Sequence, residues 1–121
     1  MEVKENNEIR PYASSEEAEK ALLACMLNGN EREHEIAMAW IREDDAFYYL
    51  DNKLIWKSFK ELYKNNVQVD LITLNDKVKE KKGQSMAYYI SGLNEDFTSN
   101  ANVENYARIV WEKYIQRETA K

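Results

Sequence analysis

Only three glycines and a single proline punctuate the 121 residues of this chain. Sheet proteins use such residues at their hairpin turns, so the scarcity points to helices joined by short connections. The apolar pattern agrees. In "SSEEAEKALLACMLNGN", Ala18, Ala21, Leu22, Cys25 and Met26 recur at helical spacing. Ser14 and Glu17 stand three apart, as in a capping box, and Asn28-Gly29 supplies a stop. A second helix is expected from about Glu33 to Arg42, with Ile36, Ala37, Trp40 and Ile41 inward. A third covers "NKLIWKSFKELYKNN", with Asp51 as its cap and Ile55, Phe59, Leu62 and Tyr63 on one face. "VQVDL" reads as a short extended connector. Thr73 and Asp76 resemble a cap for a polar fourth helix that carries Leu74 and Val78 and ends at Gly83. Met86, Tyr89, Ile90 and Leu93 mark a fifth, and Asn100 or Asn102 caps the last. The expected fold is all-α, a compact bundle of about six helices. Residues 1–12 are polar and unpatterned and read as a flexible N-terminal tail.

With 44% apolar and 32% charged residues, the composition is that of one soluble globular domain. No apolar stretch is long enough to cross a membrane, and "MEVKENNEIR" lacks the apolar segment of a secretory signal, so a cytoplasmic location is expected. The net charge of −5 opposes direct nucleic-acid binding, including a helix-turn-helix reading. The one basic run, "KVKEKK" at 77–82, reads as the solvated side of a helix. Cys25 is the only cysteine, which excludes an intrachain disulfide, and its apolar neighbours suit a small buried hydrophobe.

No catalytic, cofactor-binding or metal-binding residues emerge. Three scattered glycines offer no phosphate loop, and His34 has no second histidine or cysteine pair with which to ligate a metal. Among charged neighbours it reads as an exposed helix histidine. Adjacent Asp44 and Asp45 suit a turn better than acid–base chemistry. The aromatic residues mostly follow the helical stripes, and Tyr48-Tyr49 and Tyr88-Tyr89 each place one ring off the stripe.

The final segment, "NANVENYARIVWEKYIQRETAK", carries more apolar surface than one face needs. Val103, Tyr106, Ala107, Val110 and Tyr114 make the buried stripe. Ile109, Trp111 and Ile115 fall on its shoulders, and no glycine, asparagine or proline ends the helix before Lys121.

Several stretches, in order, resemble the N-terminal domain of DnaB-type replicative DNA helicases. They are "SSEEAEKALLACML", Phe47 with "NKLIWKSFKELYKNNVQVDLITL", "YYISGL" and "ANVENYARIVWEKYIQR". The most specific are Val69-Asp70-Leu71-Ile72-Thr73-Leu74 and the last pattern; together the matches span roughly residues 11 to 117. Ala24 stands where the family usually has glycine, Asn52 where it has histidine, and Gly83-Gln84-Ser85 where it has a glycine pair. These departures suggest a divergent member, of phage or mobile-element type. The resemblance implies a helical head over 13–99 and, over 100–121, the first arm of a truncated helical hairpin. It also implies a role in assembling a hexamer with other helicase subunits and in docking primase or a helicase loader. ATP and Mg would belong to a separate C-terminal motor that this chain lacks, so the chain itself is not expected to be an enzyme. Ile109, Trp111 and Ile115 are then the candidate subunit or partner interface, against the alternatives that they pack within the domain or that the end frays. A free-standing phage-type protein that binds a host helicase or primase is the other reading.

Overall fold

A computed structural model describes residues 14–95 and 97–121; the expected tail lies outside them. It contains six α-helices: α1 Glu16–Asn28, α2 Glu31–Trp40, α3 Leu50–Lys64, α4 Leu71–Lys82, α5 Ala87–Glu95 and α6 Val103–Thr119. A single 3-10 turn, Asp44–Ala46, joins α2 to α3, and no strand occurs among the described residues. The all-α expectation is met, and "VQVD" is an unpaired connector.

Local chemistry sets most of the helix ends. Ser15, rather than Ser14, caps α1 by accepting the Ala18 amide at 3.1 Å. Asn30 and Glu33 form a capping box that starts α2 two residues earlier than expected. Asp70 and Thr73 form another on α4, where Thr73 and Asp76 were expected to cap. Thr73 is the responding residue of that box, since its hydroxyl accepts the Asp70 amide. Asp70→Ala should cost about 1 kcal/mol, read as a lower urea midpoint at unchanged slope. Gly83 closes α4 with φ 84°, in the left-handed region. Gly29 is required by proximity, because a Cβ there would lie 2.5 Å from the Cys25 carbonyl oxygen.

One core joins all six helices. Leu22, Leu23 and Met26 of α1 meet Ile55, Trp56 and Phe59 of α3, Val78 of α4, Ile90 of α5, and Ala107 and Val110 of α6, all buried. Phe47 stacks on Trp56 with ring centroids 5.2 Å apart. Helix α6 packs along α1 and α2 and reaches the 3-10 turn, so it forms a wall of the core over most of its length.

Asp51 does not cap α3; the helix starts after Tyr49 with no capping side chain of its own. Glu19 of α1 reaches across instead. One carboxylate oxygen accepts the Tyr48 amide at 2.7 Å, and the other accepts the Tyr49 amide at 3.4 Å and the Asn52 Nδ2 at 2.9 Å. Glu19 is 1% exposed and Asn52 is fully buried. Burial pushes the Glu19 carboxyl above its ordinary value of 4.5, against the pull of those three donors and of Arg117.

Candidate interaction site

The apolar residues of α6, the expected buried stripe and the expected interface residues Ile109, Trp111 and Ile115, separate by burial. Val103, Ala107 and Val110 are buried, and Tyr106, Ile109, Trp111 and Tyr114 are half-buried against the core. Trp111 lies under the Arg42 guanidinium at 4.7 Å and against Tyr114, with ring centroids 5.0 Å apart. Its outer face is thus already covered by its own chain to a large extent. Only Ile115, at 42% exposure, is open in the way the sequence suggests for all three.

The last turns of α6 are held to the rest of the domain. Arg117 is 6% exposed and donates through Nη2 to the carbonyl oxygens of Asp45 at 2.9 Å and Ala46 at 3.0 Å. Its guanidinium also stacks over Tyr48 at 5.2 Å and Tyr114 at 5.7 Å. The helix continues to Thr119, whose hydroxyl donates to the Ile115 carbonyl at 3.0 Å. A buried arginine on a helix otherwise read for apolar period is invisible to a search for apolar stripes, and so is the Glu19 carboxylate.

A groove of about 590 Å³ lies between α1 and α5, closed at one end by Phe97 and by Tyr106 of α6. Ala21, Ala24 and Leu93 contribute apolar wall. Tyr88 stands at its edge, 95% exposed, which bears out the off-stripe placement of one ring in the Tyr88-Tyr89 pair. Among the described residues Glu17 and Glu95 line it without an ion pair, whereas Lys20 is paired with Glu16 at 3.4 Å and sits over the Tyr89 ring. Gly92 also lines the groove; a Cβ there would meet nothing within 4 Å. Glycine inside a helix costs roughly 0.5–1 kcal/mol relative to alanine, and no close approach among the described residues calls for it. Cys25, at the base, has its thiol pushed up to about 11 by burial and by Glu33, which leaves it an inert hydrophobe at neutral pH.

The polar candidates are engaged in structural contacts. His34 is buried, not exposed: its Nε2 lies 2.9 Å from the Met26 carbonyl oxygen and its ring meets Phe59 edge-on at 4.8 Å. Only Gly29 and Asn30 separate α1 from α2, so α2 packs back on α1 and His34 meets the Met26 carbonyl despite its charged sequence neighbours. Asp44 pairs with Lys60, and Asp45 with Lys53 at 2.9 Å, a contact that lowers the Asp45 carboxyl below its usual range. In the basic run, Lys77 and Lys81 meet Glu61, and Lys82 meets Asp51 at 3.0 Å. Three of the run's four lysines are therefore paired within the domain. Among the described residues no group of three or more His, Cys, Asp or Glu could hold a metal ion, and no helix is long and apolar enough to cross a membrane.

Comparison with known proteins places this arrangement in a family. Residues 11–112 match the family model described as the DnaB-like helicase N terminal domain. The replicative DNA helicase DnaB of Buchnera aphidicola is 34% identical over 113 residues, which cover 89% of this chain and 24% of that protein. The Haemophilus influenzae DnaB is 34% identical over 108 residues, covering 86% of this chain and 22% of that one. The chain thus spans about a quarter of the length of these relatives. In fold it is similar to the crystal structure of the N-terminal domain of DnaB helicase from Mycobacterium tuberculosis, with a TM-score of 0.82 at 21% identity over 90% of this chain and 76% of that one. The chain belongs to the DnaB-like helicase N-terminal domain family.

Proposed function

We propose that this chain serves as the non-catalytic assembly and docking domain at the N-terminus of a replicative DNA helicase. Residues 13–99 act as the head and 100–121 as the first arm of a helical hairpin that meets neighbouring subunits of a hexamer. The ATPase motor, with its ATP and Mg, belongs to the remaining part of the parent protein. The observation that carries the reading is α6, which is anchored to the head through Val103, Ala107 and Val110 yet leaves Ile115 open on its outer side. An exposed isoleucine beside a half-buried tryptophan is the kind of apolar surface that a subunit contact covers.

The test is self-association of the longer parent helicase. Ile115→Glu should weaken it about tenfold by sedimentation or light scattering, since burying one such side chain is worth roughly 1.5–3 kcal/mol. Unchanged association would reject Ile115 as a subunit contact. Trp111→Glu is the poorer probe, because Trp111 already packs on Arg42 and Tyr114.

Primase or a helicase loader docks in the α1–α5 groove, with Tyr88 as an exposed aromatic anchor and the Gly92 backbone open to close approach. The carboxylates of Glu17 and Glu95 favour a partner helix with basic flanks over a phosphate-bearing ligand. A Cβ at Gly92 would meet nothing within 4 Å, so Gly92→Leu is expected to extend into the groove rather than into the core. It should abolish docking of primase or loader and leave thermal stability equal or higher; retained docking would refute the groove as the site.

A further inference from the structure

We infer that a hydrogen-bonded relay through Asn52 and Glu19 couples the groove face of α5 to the C-terminal turns of α6. This deepens the docking reading above, since the groove is its input end.

The relay can be followed atom by atom. Tyr89 lines the groove on α5 and its hydroxyl donates to Asn52 Oδ1 on α3. The same amide donates through Nδ2 to Glu19 Oε1 of α1 at 2.9 Å. Glu19 holds the amides of Tyr48 and Tyr49. A few residues upstream in the same segment, the carbonyls of Asp45 and Ala46 receive Arg117 of α6, whose guanidinium lies 5.2 Å above the Tyr48 ring. The stretch from 45 to 49 is therefore gripped by Glu19 through its amides and by Arg117 through its carbonyls.

Burial makes these links depend on one another. An amide side chain that accepts on one side and donates on the other has one orientation that serves both partners. Asn52 is fully buried and Glu19 is 1% exposed, so water cannot take over a lost bond at either. When a guest in the groove draws Tyr89 away, the Asn52 amide loses its orienting donor and turns, Glu19 loses its side-chain donor, and its grip on Tyr48 and Tyr49 changes. Arg117 feels this through the carbonyls and ring it holds. The result is a physical connection between the docking groove and the helix offered to neighbouring subunits.

The relay is testable in this 121-residue chain without any partner. Tyr89→Phe removes only the hydroxyl. In NMR spectra it should shift the Tyr48 and Tyr49 amides and the Arg117 side-chain signal, and speed exchange of the two amides about tenfold. Coupling is reciprocal, so Arg117→Lys should move the Asn52 side-chain amide signals. A response confined to α5 and Asn52, or the absence of the reciprocal shift, would overturn the relay. Tyr88→Ala alters the groove edge without touching the relay and should leave Tyr48, Tyr49 and Arg117 unmoved; equal shifts there would also overturn it. A primase that ignores Gly92→Leu while Tyr89→Phe still propagates would sink the docking reading alone.

Discussion

Glu19→Ala is expected to destabilise the domain by about 4 kcal/mol, the usual scale for removing one partner from a buried charged network. The mutation strips an acceptor from the half-buried amides of Tyr48 and Tyr49 and from the buried Asn52 side chain, and a buried donor left without a partner costs roughly 1–3 kcal/mol. For a domain of this size the melting temperature should fall by roughly 15–20 °C. Circular dichroism melts at neutral pH read this directly, and a shift under 5 °C, or roughly 1 kcal/mol, would mean that water replaces the carboxylate. The pH dependence has a definite sign. Burial raises the folded carboxyl above 4.5, so the folded protein binds this proton more tightly than the unfolded chain. The proton-linked part of the contribution of Glu19 is then fully present below pH 4.5 and is lost as pH rises through the folded value, while the hydrogen bonds to Tyr48, Tyr49 and Asn52 still act at neutral pH. Glu19→Gln does not titrate. The stability of wild type relative to Glu19→Gln should therefore fall from acid toward neutral pH, whereas Asp45 and Asp70, with lowered carboxyls, change both proteins alike.

What could be read from the residues, and what could not, follows from the range of each interaction. The helices were legible because the stripes Leu22, Cys25 and Met26, then Ile55, Phe59 and Leu62, then Leu74 and Val78, are short-range patterns that the fold buries intact. Caps were legible in kind but displaced where two capable residues compete, as Ser14 with Ser15 and Asp70 with Thr73. The start of α3 was misread for a different reason. Its amides are satisfied by Glu19, some thirty positions away, and no local rule finds such a partner. Trp111 was legible as an off-stripe aromatic, but the Arg42 that covers it comes from the segment just after α2. The groove was half legible: Tyr88 stood out, whereas the meaning of Gly92 depends on there being open space beside it.

The buried arginine near the end of α6 carries the other large effect. Arg117→Ala should cost about 2–3 kcal/mol, from two charge-assisted hydrogen bonds to buried or half-buried carbonyls and the stacked contacts with Tyr48 and Tyr114. The loss has a location as well as a size. Val103, Ala107 and Val110 would keep the first turns of α6 on α1 and α2, while the turns around Trp111, Tyr114 and Ile115 would lose their tether to the 3-10 turn. Amide exchange in residues 111–119 should then accelerate well beyond that in 103–110. Arg117→Lys supplies a charge and donors but not the planar guanidinium that covers the Tyr48 and Tyr114 rings, so it should recover less than half of the loss. Uniform acceleration along α6 would mean that the helix opens as one unit with the core and that Arg117 is not what holds its end. A graded response would mean that this single guanidinium decides how firmly the surface around Ile115 is held.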